Sequence, residues 1–140
     1  MVHVMKLKND PFQKIKTGKK TVELRLYDNK RRQLDIGDDI IFTNLSNADE
    51  RLAVRVKALY RYASFEELFS EISPEKCGNR KGETAEEAAA GMLKYYSEEQ
   101  IRNYSVLGIK IELVSLEESI KRLEAIQEAI YDRLFPDGMK

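Results

Sequence analysis

The sequence has very little of the two residue types that build disulfides and zinc sites. Among 140 residues there is one cysteine, Cys77, and one histidine, His3. A single cysteine cannot form a disulfide within the chain, and the pair is too small for a Cys/His zinc cluster. A magnesium site made only of carboxylates stays open on these counts. The composition predicts a chain that folds in a reducing compartment without a metal or a cofactor.

Long apolar runs are also missing. No run approaches the roughly 18 residues that a membrane span requires. Lys6, Lys8 and Asp10 stand where a signal peptide would carry its apolar stretch. With 42% hydrophobic and 34% charged residues, the composition is that of a globular domain. We therefore expect one cytoplasmic domain, large enough to bury a core and without contact with a membrane.

Positive and negative charges balance over the whole chain but not within its individual segments. The formal net charge is zero, which disfavours a protein that coats nucleic acid by charge alone. However, residues 1–35 carry ten basic and four acidic side chains, whereas residues 64–100 carry nine acidic and four basic ones. This asymmetry is typical of a basic face that steers a phosphate-bearing ligand. It is equally typical of a domain whose oppositely charged parts attract each other.

Alternation of apolar and polar residues predicts five strands, in residues 2–7, 20–27, 40–43, 51–62 and 104–114. The short turns between them favour antiparallel pairing. In the longest strand, four basic residues alternate with apolar ones and are expected on one face: Arg51, Arg55, Lys57 and Arg61. That face is either a solvated outer surface or a phosphate track, since residues two apart in a strand repeat at about 6.8 Å.

Helix-start signals lie between and after these strands. Asp10 followed by Pro11 predicts a first helix that Gly18 ends. Four pairs of Ser or Thr with Glu or Gln three residues later predict further helix starts, after Ser64, Thr84, Ser97 and Ser115. Between the first two of these helices, residues 76–82 read as a polar loop that contains Cys77. Together the elements predict an α+β fold, a small barrel or curled sheet with flanking helices.

The last predicted helix runs to about Phe135, where Pro136 and Gly138 stop it. Its apolar residues recur every three to four positions: Leu116, Ile120, Leu123, Ile126, Ile130 and Leu134. One such stripe normally packs on its own domain. Gln127 interrupts the seam that a coiled coil would need, but dimerisation through this helix remains the alternative.

One short segment concentrates the residues that could bind a ligand. Residues 18–25 fit the pattern G-x-K-x-x-E-x-R, with Gly18, Lys20, Glu23 and Arg25 at the fixed positions. Gly18 ends the helix, Lys20 starts the strand, and Glu23 and Arg25 project from one strand face. Arginine and lysine bind phosphate or a base edge, and glutamate either accepts from an exocyclic amine or orients the two cations. Tyr95 and Tyr96 are adjacent at a predicted helix end and cannot both face the core, so one is expected to pack and the other to stack on a base; Tyr96 is the predicted ligand-binding residue.

This pattern resembles the signature of the ASCH domain, the activating signal cointegrator homology family, whose relatives include the RNA-binding PUA domains. The turn at Ile36-Gly37-Asp38 and the Tyr95-Tyr96-Ser97 segment before the strand at Val106 occur in the order of that family. The resemblance covers about residues 2–114 and leaves 115–140 as a helical extension packed on the domain. It implies a PUA-like antiparallel barrel of about five strands, whose cleft binds RNA or a modified nucleoside.

The resemblance also implies possible catalysis. Some bacterial members similar in size are amidohydrolases that deacylate N4-acetylcytidine, and their catalytic lysine corresponds to Lys20. Their nucleophilic threonine corresponds to Glu23, so this chain lacks it, and Thr21 is not equivalent. Other members resemble ribonucleases that use Lys, Tyr and Ser, for which Lys20, Tyr96 and Ser97 are the candidates here.

Three functional hypotheses follow. The first is a domain that binds RNA or a nucleobase on the motif. The second is a hydrolase in which Lys20 is a base or charge stabiliser and Glu23 is a proton shuttle. The third is a non-catalytic adaptor that forms a homodimer through its last helix.

Overall fold

The computed structural model describes residues 1–137, so the predicted stop at Gly138 lies outside the described residues. Within that range the chain forms five strands and five α-helices, joined by loops with short 3-10 turns at residues 31–33, 74–77 and 92–94. In chain order they are β1 (Val2–Leu7), α1 (Asn9–Lys16), β2 (Val22–Leu26), β3 (Asp39–Asn44), β4 (Asn47–Tyr62), α2 (Phe65–Glu71), α3 (Ala85–Gly91), α4 (Glu98–Tyr104), β5 (Val106–Val114) and α5 (Leu116–Leu134).

The strands form one curled half-barrel sheet in the order β1-β3-β4-β5-β2. All neighbours are antiparallel except β1 and β3, which are parallel, so the prediction of antiparallel order throughout is wrong at this edge. Residues 8–38, which include α1 and β2, separate β1 from β3 and make the crossover that parallel pairing requires. Strands β1 and β2 lie at the two edges, and we call the gap between them the seam.

The two faces of the sheet bury different apolar clusters. The concave face encloses a barrel core of Met5, Leu7, Phe12, Ile15, Leu34, Ile40, Phe42, Leu52, Val54, Val56, Leu107, Ile109 and Ile111. The alternation predicted for β2 is confirmed, because Val22, Leu24 and Leu26 pack on the other side against α2 and α3. Cys77 belongs to this second cluster and is buried, whereas the sequence predicted it in a polar loop.

A bulge in β4 changes which side chains share a face. Val56 pairs with Ile111 and Ala58 pairs with Lys110, so Lys57 is an extra residue on β4. Beyond the bulge Leu59, rather than Ala58, packs against the barrel core. Arg61 lies opposite the core residue Leu107 and therefore on the concave face. The prediction that all four basic residues of β4 share one face is wrong for this reason.

Most helix starts follow the predicted signals. Thr84 with Glu87 and Ser97 with Gln100 form complete capping boxes, which confirms both predictions. Ser64 and Ser115 each accept the backbone N–H three residues on, without the reciprocal bond to their own N–H.

Two elements differ from their predicted starts: the first helix and the last strand. Asp10 lies inside the first turn of α1 instead of capping it, so the predicted cap is wrong, but Gly18 adopts the expected left-handed conformation with φ of +81°. Helix α4 continues to Tyr104, and Ser105 turns the chain with φ of +61°. The last strand therefore begins at Val106 instead of at 104.

Helix α5 packs on the convex face of the sheet. Its residues Leu116, Ile120, Leu123 and Ile126 cover Val2, Ile41 and Ala53. The completely buried Asp39 fixes the helix, because its carboxylate accepts from Ser119 and pairs with Arg122, each at 2.8 Å. Among residues 1–137, no helix combines the length and the apolar character needed to cross a bilayer. The division into a domain of residues 1–114 and an extension of 115–140 stays a prediction.

Candidate functional site

A cleft of about 810 Å³ opens where the end of β1, helix α1, the start of β2 and residues 77–96 meet. Four of the five predicted ligand-binding residues line it: Lys20, Glu23, Arg25 and Tyr96. Gly18 does not line it. Its left-handed conformation instead turns the chain back toward α1, so that the Lys20 N–H donates to the Lys14 carbonyl at 3.0 Å. The role of Gly18 is to place Lys20 beside the end of α1.

Glu23 is the centre of the site. Its side chain is only 3% exposed, and Oε1 lies 2.8 Å from Lys20 Nζ. Oε2 accepts from Arg25 Nε at 2.9 Å and lies 2.8 Å from Arg25 Nη2. The backbone N–H of Leu24 also donates to Oε1 at 3.2 Å. Four donor nitrogens thus surround the two oxygens of this carboxylate within 3.2 Å.

The two cations decide the ionisation of Glu23. Burial by itself raises the pKa of this carboxyl, but the charges of Lys20 and Arg25 and their hydrogen bonds outweigh it, and the pKa is lowered. Glu23 is therefore an anion at neutral pH. Its neighbours keep donors to spare: one Lys20 N–H is used out of three, and Arg25 Nη1 has no partner among the described residues.

Arg25 also bridges the seam. Its Nη2 donates to the carbonyl of Lys6 at 3.0 Å, on the edge of β1 that faces away from β3. Lys30 makes a similar bridge further along, from Nζ to the carbonyl of Val4 at 2.9 Å. Side chains from β2 and the loop after it thus satisfy backbone acceptors of the β1 edge, in place of a sixth strand.

The two adjacent tyrosines have different surroundings. Tyr96 is half-buried, and its ring stacks on that of Phe65 with centroids 6.1 Å apart. Burial raises the pKa of its phenol. Tyr95 is 58% exposed and lines the same cleft, with Lys8 Nζ 5.4 Å from its ring centroid. The sequence showed that two neighbours at a helix end cannot both face the core, but only the fold shows which ring stays open.

The remaining catalytic candidates do not assemble. Ser97 caps α4 and, like Thr21, is not among the residues that line the cleft. Cys77 does line it, but burial raises the pKa of its thiol to about 12. A thiol in this state is a poor nucleophile.

Sequence reasoning missed the positive rim of the cleft. Seven Lys or Arg and three Asp or Glu side chains line it. Lys6, Lys8 and Lys94 belong to the rim, and none of them forms an ion pair within residues 1–137. The local excess of basic residues in the first 35 positions was the available signal. It indicated a basic face, with residues 30–32 as a possible phosphate-binding arm, but it did not place Lys6 and Lys8 at the cleft.

Comparisons with known proteins identify the family of the chain. The model of the ASCH domain matches residues 5–115. The crystal structure of the hypothetical protein PH0355 is 36% identical, with a TM-score of 0.72, over 81% of this chain and 100% of that one. The solution structure of protein PF0455 from Pyrococcus furiosus is 36% identical, with a TM-score of 0.65, over 82% and 99%.

A crystal structure of ASCH from Zymomonas mobilis is more distant, at 18% identity and a TM-score of 0.44 over 87% of this chain and 78% of that one. None of the curated proteins matches. The family model covers well over half of the sequence. The chain therefore belongs to the ASCH domain family.

Proposed function

We propose that the cleft binds a base of RNA, or a modified nucleoside, through Lys20 and Arg25. The observation that carries this proposal is a buried carboxylate with a cation 2.8 Å from each oxygen, in the wall of an open cleft. An ion pair that only stabilised the fold would have no need of an adjoining cleft of about 810 Å³. The family membership supports the same class of ligand.

The donors and acceptors of the site favour a particular division of roles. Since four donor nitrogens already lie within 3.2 Å of its two oxygens, Glu23 leaves little room for an exocyclic amine. Glu23 is thus a positioning residue that holds Lys20 and Arg25 in place. The free N–H groups of these two cations would donate to the ligand, for which base carbonyls, ring nitrogens and phosphate oxygens are the matching acceptors. The open ring of Tyr95 would supply stacking.

Binding of short single-stranded RNA to Lys20→Ala and Arg25→Ala variants tests this function. A contact of this kind contributes about 1–3 kcal/mol, so we expect Kd to rise at least about fivefold in either variant. Lys19→Ala is the matched control, because Lys19 is an exposed neighbour that does not line the cleft. Equal affinities for the wild type and both cleft variants, measured by filter binding, would remove the proposal.

A hydrolase built on the same residues is the second candidate, favoured by the contact of Lys20 and Glu23 inside a cleft. The lowered pKa of Glu23 works against its role as a proton shuttle, because an ionised carboxylate has no proton to give at neutral pH. Incubation with N4-acetylcytidine and with RNA, followed by chromatography, tests the activity. Recovery of both compounds unchanged would eliminate this candidate.

Pairing of two chains through α5 is a third candidate, compatible with the first. Beyond the part of α5 that covers the sheet, Ile130, Leu134 and Phe135 are exposed by 40–67%. These residues extend the apolar stripe past the area that the sheet can cover. A second copy with the same exposed end would cover them in an isologous contact.

A further inference from the structure

The basic side chains of this protein continue beyond the cleft, along the seam between β1 and β2. Lys8 and Lys6 project from the β1 side, Arg25 reaches across to the Lys6 carbonyl, and Lys30 reaches across to the Val4 carbonyl. At the far end two guanidinium groups contact the ring of Tyr27, with Arg32 Cζ at 5.1 Å and Arg61 Cζ at 4.4 Å from its centroid. We call these six cations the basic seam: Lys6, Lys8, Arg25, Lys30, Arg32 and Arg61.

We propose that the basic seam is a track for the phosphodiester backbone of single-stranded RNA whose base occupies the cleft, an inference that rests on the proposed function. The cognate ligand is then an oligonucleotide and not a free nucleoside. Only a ligand with several phosphates can contact cations spread along both edges of the sheet.

Apart from Arg25, which pairs with Glu23, no cation of the basic seam forms an ion pair within residues 1–137. Asp28 is the acidic side chain at its far end, and it pairs with Arg31 at 3.1 Å. Burial, and then the nearby charges of Arg31 and Arg25, lower the pKa of Lys30 despite Asp28. Arg31 Nε is buried without an acceptor among the described residues. The region therefore has more hydrogen-bond donors than acceptors and a surplus of positive charge. Bound phosphates would supply both the acceptors and the negative charge.

The dimensions of the seam suggest how many nucleotides it holds. Lys8, just after β1, is four residues from Val4, which corresponds to about 13 Å of extended chain. That distance accommodates about two phosphate steps of an extended strand, and the guanidinium pair at Tyr27 adds one more. With the base in the cleft, the expected site covers about four nucleotides.

Several seam cations are free to bind a ligand without loss of structure. Lys6 and Lys8 are exposed, and neither side chain donates a hydrogen bond within residues 1–137. Arg32 is exposed and donates once, to the Tyr27 carbonyl at 3.3 Å. Lys6 and Arg32 are therefore the positions where a change affects charge most and folding least.

The experiment compares random-sequence RNA of one, two, four and eight nucleotides, by competition against a labelled octanucleotide. We expect the affinity of the wild type to rise more than about tenfold between one and four nucleotides and then to level off. Loss of one phosphate contact lowers the salt slope by about 0.7, which at roughly 0.1 M salt raises Kd about fivefold. Lys6→Ala and Arg32→Ala should each show this loss for the tetranucleotide. Arg32→Ala, whose arginine does not line the cleft, should not show it for the mononucleotide. Lys121→Ala, an exposed lysine on α5, is the matched control.

The outcomes separate this inference from the proposed function. Binding that is independent of length, with Lys20→Ala still impaired, would refute the seam and leave the cleft intact. Unchanged tetranucleotide affinity in both seam variants would have the same meaning. Absence of RNA binding at every length would overturn both proposals. If oligoglutamate bound instead, with the same sensitivity to Lys6→Ala, the seam would belong to an acidic peptide and the RNA track would be wrong.

Discussion

At the scale of single residues, Glu23 has the greatest consequence for the rest of the site. A buried carboxylate with two cations is costly to desolvate, and its value depends on complete hydrogen bonding. Four donor nitrogens lie within 3.2 Å of its two oxygens, and both cations are at least 86% buried as side chains. The side chain therefore fixes the distance between Lys20 and Arg25, so that the two cations form a preformed pair in the wall of the cleft.

Replacement of Glu23 by Gln tests that positioning role. The variant leaves two largely buried cations without their counter-charge, so we expect the free energy of unfolding to fall by about 3 kcal/mol in urea denaturation. Glu112→Gln is the control, since that carboxylate is exposed and pairs with Lys57 at 3.7 Å; its effect should be below about 0.5 kcal/mol. Equal free energies of unfolding for the two variants would show that the buried ion pairs of Glu23 do not stabilise the fold.

The same variant predicts a change in pH dependence. The pKa of Glu23 is lower in the folded state than in the unfolded chain, so its stabilisation is complete above the unfolded pKa. That stabilisation is lost as the pH falls through the folded pKa. The difference in unfolding free energy between wild type and Glu23→Gln should therefore shrink on acidification below about pH 4.5. A constant difference from pH 7 to pH 3 would contradict the assigned ionisation.

At the scale of elements, a bulge in β4 directs one side chain of the basic seam, and a buried aspartate attaches helix α5. The bulge at Lys57 rotates the second half of β4, so that Arg61 reaches the Tyr27 ring instead of pointing away with Arg55. Helix α5 is attached through Asp39, which pairs with Arg55 from β4 and Arg122 from α5. The pKa of Asp39 is lowered: burial raises it, but the hydrogen bonds from Arg55 and Ser119 and the charge of Arg122 outweigh that contribution.

Substitution of Asp39 by Asn should therefore loosen α5. The amide cannot pair with two guanidinium groups, and we expect a loss of about 3 kcal/mol in the free energy of unfolding. Amide hydrogen exchange should accelerate in residues 116–126 more than in β4 and β5. Lys121→Ala, on the same helix but outside this contact, is the control. Uniform acceleration over the whole sheet would mean that Asp39 stabilises the barrel instead of the helix.

At the scale of the whole molecule, charge and apolar surface are distributed unevenly. Net charge is zero, yet the cleft and the seam collect cations while much of the acidic surplus lies in residues 64–100. The convex side carries α5, whose end is apolar and uncovered. The two proposed contacts, with RNA and with a second copy, thus use different sides of the molecule.

Light scattering of the full chain tests the second of these contacts. We expect a dimer at micromolar concentration, which Leu134→Glu converts to a monomer, because a charge in the centre of an isologous apolar contact is repeated on both subunits. RNA affinity per chain should be unchanged, since α5 does not line the cleft. Glu124→Gln, on the same helix, is the control. A monomeric wild type at high concentration would exclude the homodimer.

The sequence by itself determined the number of strands, most helix starts, the alternation of β2 and the grouping of Lys20, Glu23 and Arg25. These features depend on neighbours a few residues apart, whose periodicity and capping chemistry are visible in the chain. The tertiary structure alone decided the parallel pairing of β1, the bulge at Lys57 and the burial of Cys77. It also brought Lys6 and Lys30 to the same seam and left the ring of Tyr95 open. Contacts between residues distant in the sequence create these features, because the curvature of the sheet sets which edges meet, and no local pattern encodes that curvature.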